Sequence, residues 1–184
     1  RSETVTLPTG VLPRGARGPD GAGAQGNVSL LLAEMGEYVT WNDRRAELAD
    51  YVRLKYERGA IEYAPGDAFE IELPHLFDAS LIAEIIEHTA HPDQFLARIA
   101  TLVRPGGYII MTTPNGAYFR NHLPKFSECT NPAIYEDHQV QPDSDGHLFL
   151  PPPEEIEPLA LAPGPQPDRF PLRPHPPTHA QRNP

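Results

Sequence analysis

Two apolar runs separated by an amphipathic helical pattern constrain this chain more than any other feature. Residues 77–82 are apolar apart from Asp78 and Ser80, a composition suited to a strand buried on both faces. Residues 108–113 give a second and more regular strand pattern. Between them Phe95, Leu96, Ile99, Leu102 and Val103 recur at helical spacing, which predicts a helix over residues 91–103 that Pro105-Gly106-Gly107 breaks. A buried strand that returns through a helix to another buried strand is the pattern of a parallel pair joined by a right-handed crossover.

The alternation extends upstream. Val28, Leu31, Leu32 and Met35 predict a helix over 27–35, stopped by Gly36. A β-prone run at 38–41 follows, then a helical pattern over 44–58 with Leu48, Tyr51, Val52 and Tyr56 on one side, then a short strand at 61–63. The expected fold class is therefore α/β, with a mostly parallel sheet flanked by helices. The ends do not share this patterning. Residues 1–27 are rich in Gly and Pro, with only a short strand pattern at 4–7. The approach Leu12-Pro13-Arg14-Gly15-Ala16-Arg17-Gly18-Pro19 is ill suited to a central strand, so the first strand is expected to be irregular. Of 23 prolines, 13 follow residue 140, and residues from 163 onward are expected to be extended and disordered. The expected organisation is an irregular segment 1–19, one domain over 20–162 and a proline-rich tail 163–184.

Composition narrows the partners. With 15 Lys and Arg against 25 Asp and Glu, the formal charge of -10 repels phosphate backbones, and nucleic acid is not an expected partner. The single cysteine, Cys129, builds neither a disulfide framework nor a thiolate zinc cluster. Eight histidines without ligand spacing give no expected metal site. No apolar run approaches the roughly 18 residues of a membrane span, and the start lacks the order of a secretory signal, so a cytoplasmic location is expected. A chain that starts at Arg1 is a fragment or a trimmed product on this reading, and its oligomeric state is not legible.

In open α/β sheets ligands bind beyond the carboxyl ends of the strands. Gly21, Gly23 and Gly26 form a Gly-x-Gly-x-x-Gly pattern just before the first helix, where glycine permits close backbone approach and the helix start offers free amides. A flexible Gly/Ala linker is the alternative. Asp43 lies 17 residues after Gly26, near the spacing of an acid that receives ribose hydroxyls, and equally suits a cap on the next helix. Asp67, in Gly66-Asp67-Ala68, is a third rim carboxylate or a turn residue.

Phe77-Asp78 through Glu87-His88, then His91-Pro92, Phe95-Leu96, Arg104-Pro105-Gly106-Gly107 and Thr113-Pro114-Asn115, resemble the second half of a class I S-adenosylmethionine-dependent methyltransferase domain. The series is similar to the ubiquinone-biosynthesis O-methyltransferases, and the resemblance covers about residues 20–150, most specifically 87–115. It implies a Rossmann-like fold, S-adenosylmethionine as cofactor and a small-molecule methyl acceptor, through a hydroxyl oxygen. It also implies Gly21, Gly23 and Gly26 under the methionine part of the cofactor, Asp43 at its ribose, Asp67 and Ala68 at adenine, and Ala83 on the pocket floor. His88 is the candidate catalytic base, because imidazole titrates near neutral pH; alternatively Glu87 and His88 only orient the following loop. His91, His138 and His147 are further choices.

The chain departs from the family at both ends. With Asp20 and Gly26 in family register, Ala22 and Ala24 stand where two loop glycines belong. Residues 146–150, 154–156 and 159–164 resemble the strand and helix that precede the family's last two strands, which are missing, so the domain is expected to be incomplete at both ends. Two other classes fit less of the pattern: a nicotinamide-dependent oxidoreductase, and a catalytically inactive remnant or interaction module.

Overall fold

The computed structural model describes residues 17–21, 26–56, 58–73, 75–117, 121–138 and 146–160. The strands are β1 Arg17–Gly21, β2 Tyr38–Asn42, β3 Ala60–Tyr63, β4 Phe77–Ala83 and β5 Val103–Thr112. The helices are α1 Asn27–Glu34, α2 Leu48–Lys55, α3 Pro92–Leu102 and α4 Pro153–Ala160. The strands form one sheet in the order β3-β2-β1-β4-β5, and every pairing is parallel. The expected α/β architecture is thus the observed one. Strand order reverses between β1 and β4, which opens a crevice at the carboxyl rim.

Helices cover both faces of the sheet, packing on apolar side chains that β2 and β4 supply. Leu81 and Val39 pack with Leu32 and Ala33 of α1 on one face, and Trp41 packs with Ala49 and Val52 of α2. On the other, Ile82 joins Phe95, Leu96, Ile99 and Leu102 of α3. These α3 side chains hold the helix in place at about 1.5–3 kcal/mol each. That outweighs its missing side-chain cap at His91, a loss of about 1 kcal/mol. Pro92 starts the helix with a preset φ.

The structure corrects the sequence reading at three places. The first strand is formed, central and contains Pro19, so ordered structure starts ahead of residue 20. A proline is tolerated there because the ladder to β4 begins only beyond it, at Asp20↔Leu81 and Gly21↔Ile82. The strand's amino end is tied instead by the Arg17 N–H, which donates to Asp78 Oδ2 at 2.9 Å. Gly18 makes this closeness achievable, since a Cβ there would stand 2.7 Å from the Ala79 carbonyl oxygen.

Secondly, Pro105-Gly106-Gly107 does not separate α3 from its strand. It lies inside β5 as a bulge, between the rungs Phe77↔Val103 and Ala79↔Tyr108. Gly106 has φ +75, and a Cβ on Gly107 would meet Val103 Cγ1 at 2.5 Å and the Asp78 carbonyl at 2.7 Å. Thirdly, residues 146–150 are not a strand. Leu148 and Phe149 pack beside Ala90, and the Leu148 N–H donates to the Glu87 carbonyl at 2.7 Å. The expected strand at 4–7, the glycine Gly23 and the tail 163–184 lie outside the described residues. Among those described, no helix is long and apolar enough to cross a membrane.

Candidate functional site

The carboxyl ends of β2 and β3 are laced together by polar contacts. Asn42 Nδ2 donates to the carbonyls of Ala64 at 2.7 Å and Gly66 at 3.1 Å, and the Gly66 N–H donates to the Asp43 carbonyl at 3.0 Å. These bonds bring the Asp67 loop alongside Asp43. Asp67 Oδ1 accepts the Phe69 N–H at 2.9 Å, and Oδ2 stands 3.5 Å from Arg44 Nε. Arg98 of α3 donates to the carbonyls of Ala68 and Ile71, at 3.1 and 2.6 Å, and so pins the loop from behind.

Asp43 is buried, and the neighbouring cation engages both of its oxygens. Its Oδ1 accepts the Arg45 N–H at 2.9 Å and Nε at 3.1 Å, while Oδ2 accepts Nη2 at 3.2 Å. That hydrogen-bonded carboxylate also raises the Arg45 pKa above its ordinary value. The helix cap expected of Asp43 is not what forms: α2 starts only at Leu48, with Glu47 at its N-cap position, and Asp43 instead closes a turn onto the Arg45 N–H. Gly26 is buried at the start of α1 with φ +72, and its carbonyl accepts the Leu30 N–H at 2.8 Å. A Cβ there would lie 2.6 Å from Val52 Cγ1, so only glycine fits. Gly21 ends β1, opposite Asn42 and Ile82.

Past β4 the backbone changes character. Ala83 is half-buried on the last rung, opposite Thr112, and Glu84 adopts φ +54, an unusual value for a residue with a side chain. A 3₁₀ turn, Ile86–His88, then carries Glu87 into the interior. Glu87 Oε2 accepts the Thr113 hydroxyl at 3.0 Å, whereas Oε1 has no hydrogen-bond donor among the described residues. Burial pushes its pKa up to about 7, and the Glu84 carboxyl adds to the rise. His88 is lowered by burial, a shift opposed by its hydrogen bond to the Gly146 carbonyl and reinforced by His147. The rings of His88 and His147 stand with centroids 4.7 Å apart.

One ligand atom from each of Glu87, His88 and His147 lies within 4.8 Å of the other two. The sequence reading expected no such cluster, because local spacing does not reveal a histidine delivered from a distant segment. A carboxylate just after the apolar pair Ile85-Ile86, at the end of a buried strand, was the available signal. Of the other histidines considered, His91 turns to Glu136, with Nε2 2.8 Å from Oε1, and His138 is exposed. The Glu87 carbonyl holds Leu148, so this turn also orients the segment that bears His147.

A reversing parallel sheet with a glycine-started helix and acidic residues along its carboxyl rim defines a Rossmann-like cofactor-binding domain. Residues 20–111 match the family model described as a methyltransferase domain, and the chain belongs to that family, within the class I S-adenosylmethionine-dependent methyltransferases. It is 35% identical over 94 residues to the ubiquinone biosynthesis O-methyltransferase of Aeromonas salmonicida, covering 49% of this chain and 40% of that one. The chain spans less than half the length of the curated relatives it matches. A structure of a putative methyltransferase from Bacillus halodurans superposes with a TM-score of 0.60 at 17% identity, covering 81% of this chain and 62% of that one. The [4+2]-cyclase SpnF superposes with a TM-score of 0.59 at 16% identity, over 82% of this chain and 50% of that one. These two likenesses concern the fold, and the second shows that it also carries a reaction other than methyl transfer.

Proposed function

We propose that this chain binds S-adenosylmethionine at the carboxyl rim of the sheet and transfers its methyl group to a hydroxyl oxygen of a small molecule. The observation that carries the reading is the rim itself: Gly26 opening α1, Asp43 and Asp67 laced across the ends of β2 and β3, and His88 just past β4. The donor set suits the cofactor. Gly21, Gly23 and Gly26 take its methionine part, Asp43 its ribose hydroxyls, Asp67 and Ala68 its adenine, and Ala83 closes the pocket floor. Family membership supports this assignment.

When bound, S-adenosylmethionine supplies an activated sulfonium methyl. The protein then has to align an acceptor and help remove its proton. His88 suits the second task. One ring nitrogen gives its N–H to the Gly146 carbonyl, which leaves the other with a lone pair, and burial shifts the ring toward its neutral form. The O-methyltransferase relatives motivate oxygen as the acceptor atom.

The test is methyl transfer from labelled S-adenosylmethionine to a panel of phenols, catechols and aliphatic alcohols. The reading expects label on oxygen and a loss of about 10²–10⁴-fold in His88→Ala, the range for a general base. Unchanged turnover in that variant would remove His88 from the role. A second reading, a binding module without turnover, is favoured by one observation: Arg45 already engages both oxygens of Asp43. Cofactor binding without label transfer to any acceptor would select it.

A further inference from the structure

The loop that follows β3 is built as one helical turn that stops. Asp67 Oδ1 accepts the Phe69 N–H at 2.9 Å, and the Asp67 carbonyl accepts the N–H groups of Glu70 at 3.0 Å and Ile71 at 2.9 Å. A turn that goes no further leaves carbonyls at its end without an internal donor. Arg98 takes two of them from α3: Nε donates to the Ala68 carbonyl at 3.1 Å and Nη2 to the Ile71 carbonyl at 2.6 Å. A cation at the carbonyl end of a turn is favourable, and a planar fork fixes both oxygens in one geometry. The fork is itself braced. Its Nη1 donates to Thr101 Oγ1 at 3.1 Å, and that hydroxyl donates to the Arg98 carbonyl at 2.7 Å.

The other contacts of the loop hold it without aiming it. Phe69 packs on Phe95 of α3 with ring centroids 5.9 Å apart, and Ala68 and Leu73 pack against the α3 core. On the sheet side the loop is tied at Gly66, through Asn42 and the Asp43 carbonyl, and by the largely exposed pairing of Asp67 with Arg44. Apolar packing is non-directional, and an exposed ion pair contributes little. The direction in which Asp67 and Ala68 are presented at the rim is therefore set by the Arg98 fork.

We propose that Arg98 is a positioning residue for the base of the cofactor, and that it sets the preference of this chain for an amino purine over an oxo purine. The inference rests on the reading that Asp67 and Ala68 meet adenine. Adenine carries N–H donors on its exocyclic nitrogen, where hypoxanthine carries a carbonyl oxygen. A carboxylate accepts from the first and repels the second, so the discrimination holds only while the loop stays in place. The ribose and methionine parts are assigned to Asp43 and to the glycines before α1, which Arg98 does not hold. Arg98 thus acts on the base alone.

Calorimetric titration of the full chain with S-adenosylhomocysteine, and separately with S-inosylhomocysteine, tests the role. The unaltered protein should bind the adenosyl ligand at least about tenfold more tightly. Arg98→Ala should weaken the adenosyl ligand at least about tenfold and shift the inosyl ligand by less than about twofold, so that the preference disappears. Arg98→Lys keeps the stem and the charge but loses the fork, so the same selective loss is expected, and this variant decides if circular dichroism shows that Arg98→Ala does not fold. Hydrogen exchange without ligand should show the Glu70 and Ile71 amides opening faster in either variant. Variants that keep the preference, that weaken both ligands equally, or that leave those amides unchanged overturn the role. An unaltered protein that takes up neither ligand removes the cofactor reading and the role with it. Uptake of S-adenosylhomocysteine with a preference that Arg98→Ala leaves intact removes the role alone.

Discussion

The two ends of β4 carry acidic residues of opposite fate. At the amino end, Asp78 accepts the Arg17 N–H at 2.9 Å and Arg104 Nε at 2.5 Å, and these bonds hold its pKa below the usual carboxylate range. Past the carboxyl end, Glu87 is buried, one of its oxygens has no hydrogen-bond donor among the described residues, and its pKa is raised to about 7. The first carboxylate fastens β1 and β5 to β4 with a donor on each of its oxygens. The second is maintained at a cost to the fold, and it stands at the rim where α/β sheets bind ligands. An unsatisfied group in an otherwise well-packed core is therefore the best pointer to function on this strand.

The largest expected effect lies at the satisfied end. Gly107→Ala drives a methyl group against the Asp78 carbonyl and Val103, and should destabilise by about 3 kcal/mol, read by urea unfolding. A change under about 1 kcal/mol would mean that the bulge relaxes freely and that this end is less rigid than drawn.

Next comes Glu87. Its folded pKa is raised above the unfolded value, so its cost appears as pH rises above 4.5 and is complete once pH exceeds about 7. That cost is about 3 kcal/mol at most, and Glu87→Gln should recover part of it above pH 7 and flatten the slope. Stability that does not fall across that window in the unaltered protein would remove the contrast between the two ends.

Asp78 should show the opposite sign. Its folded pKa is depressed, so its stabilisation is present above the unfolded pKa and lost as pH falls through the folded one. Because the pair is partly solvated, Asp78→Asn should cost only about 1 kcal/mol at neutral pH, and the difference from the unaltered protein should shrink in acid. Equal losses at both pH values would mean that packing, not charge, is what Asp78 supplies.

How much of this was legible in the sequence follows from the range of the interactions involved. The pattern of β4, α3 and the end of β5 was readable because apolar periodicity is local, and α3 indeed buries Phe95, Leu96, Ile99 and Leu102. β1 was not, because Pro19 argues against a strand and what makes it one is non-local: the Arg17–Asp78 hydrogen bond and the close approach of Gly18 to Ala79. The Pro-Gly-Gly bulge hid the start of β5 in the same way. At the site, Asp43 and Asp67 could be placed by counting from strand ends. The fork from Arg45 and the joining of His147 to Glu87 and His88 depend on tertiary placement, which no local spacing encodes.

The most direct test of the account is a calorimetric titration of the folded protein with S-adenosylhomocysteine, repeated with Asp43→Ala. The account predicts saturable binding of one molecule per chain, weakened at least about tenfold in the variant, in keeping with loss of charged hydrogen bonds to a ribose. A folded protein that takes up no S-adenosylhomocysteine, or one whose affinity Asp43→Ala leaves unchanged, would contradict the assignment of the carboxyl rim as the cofactor site.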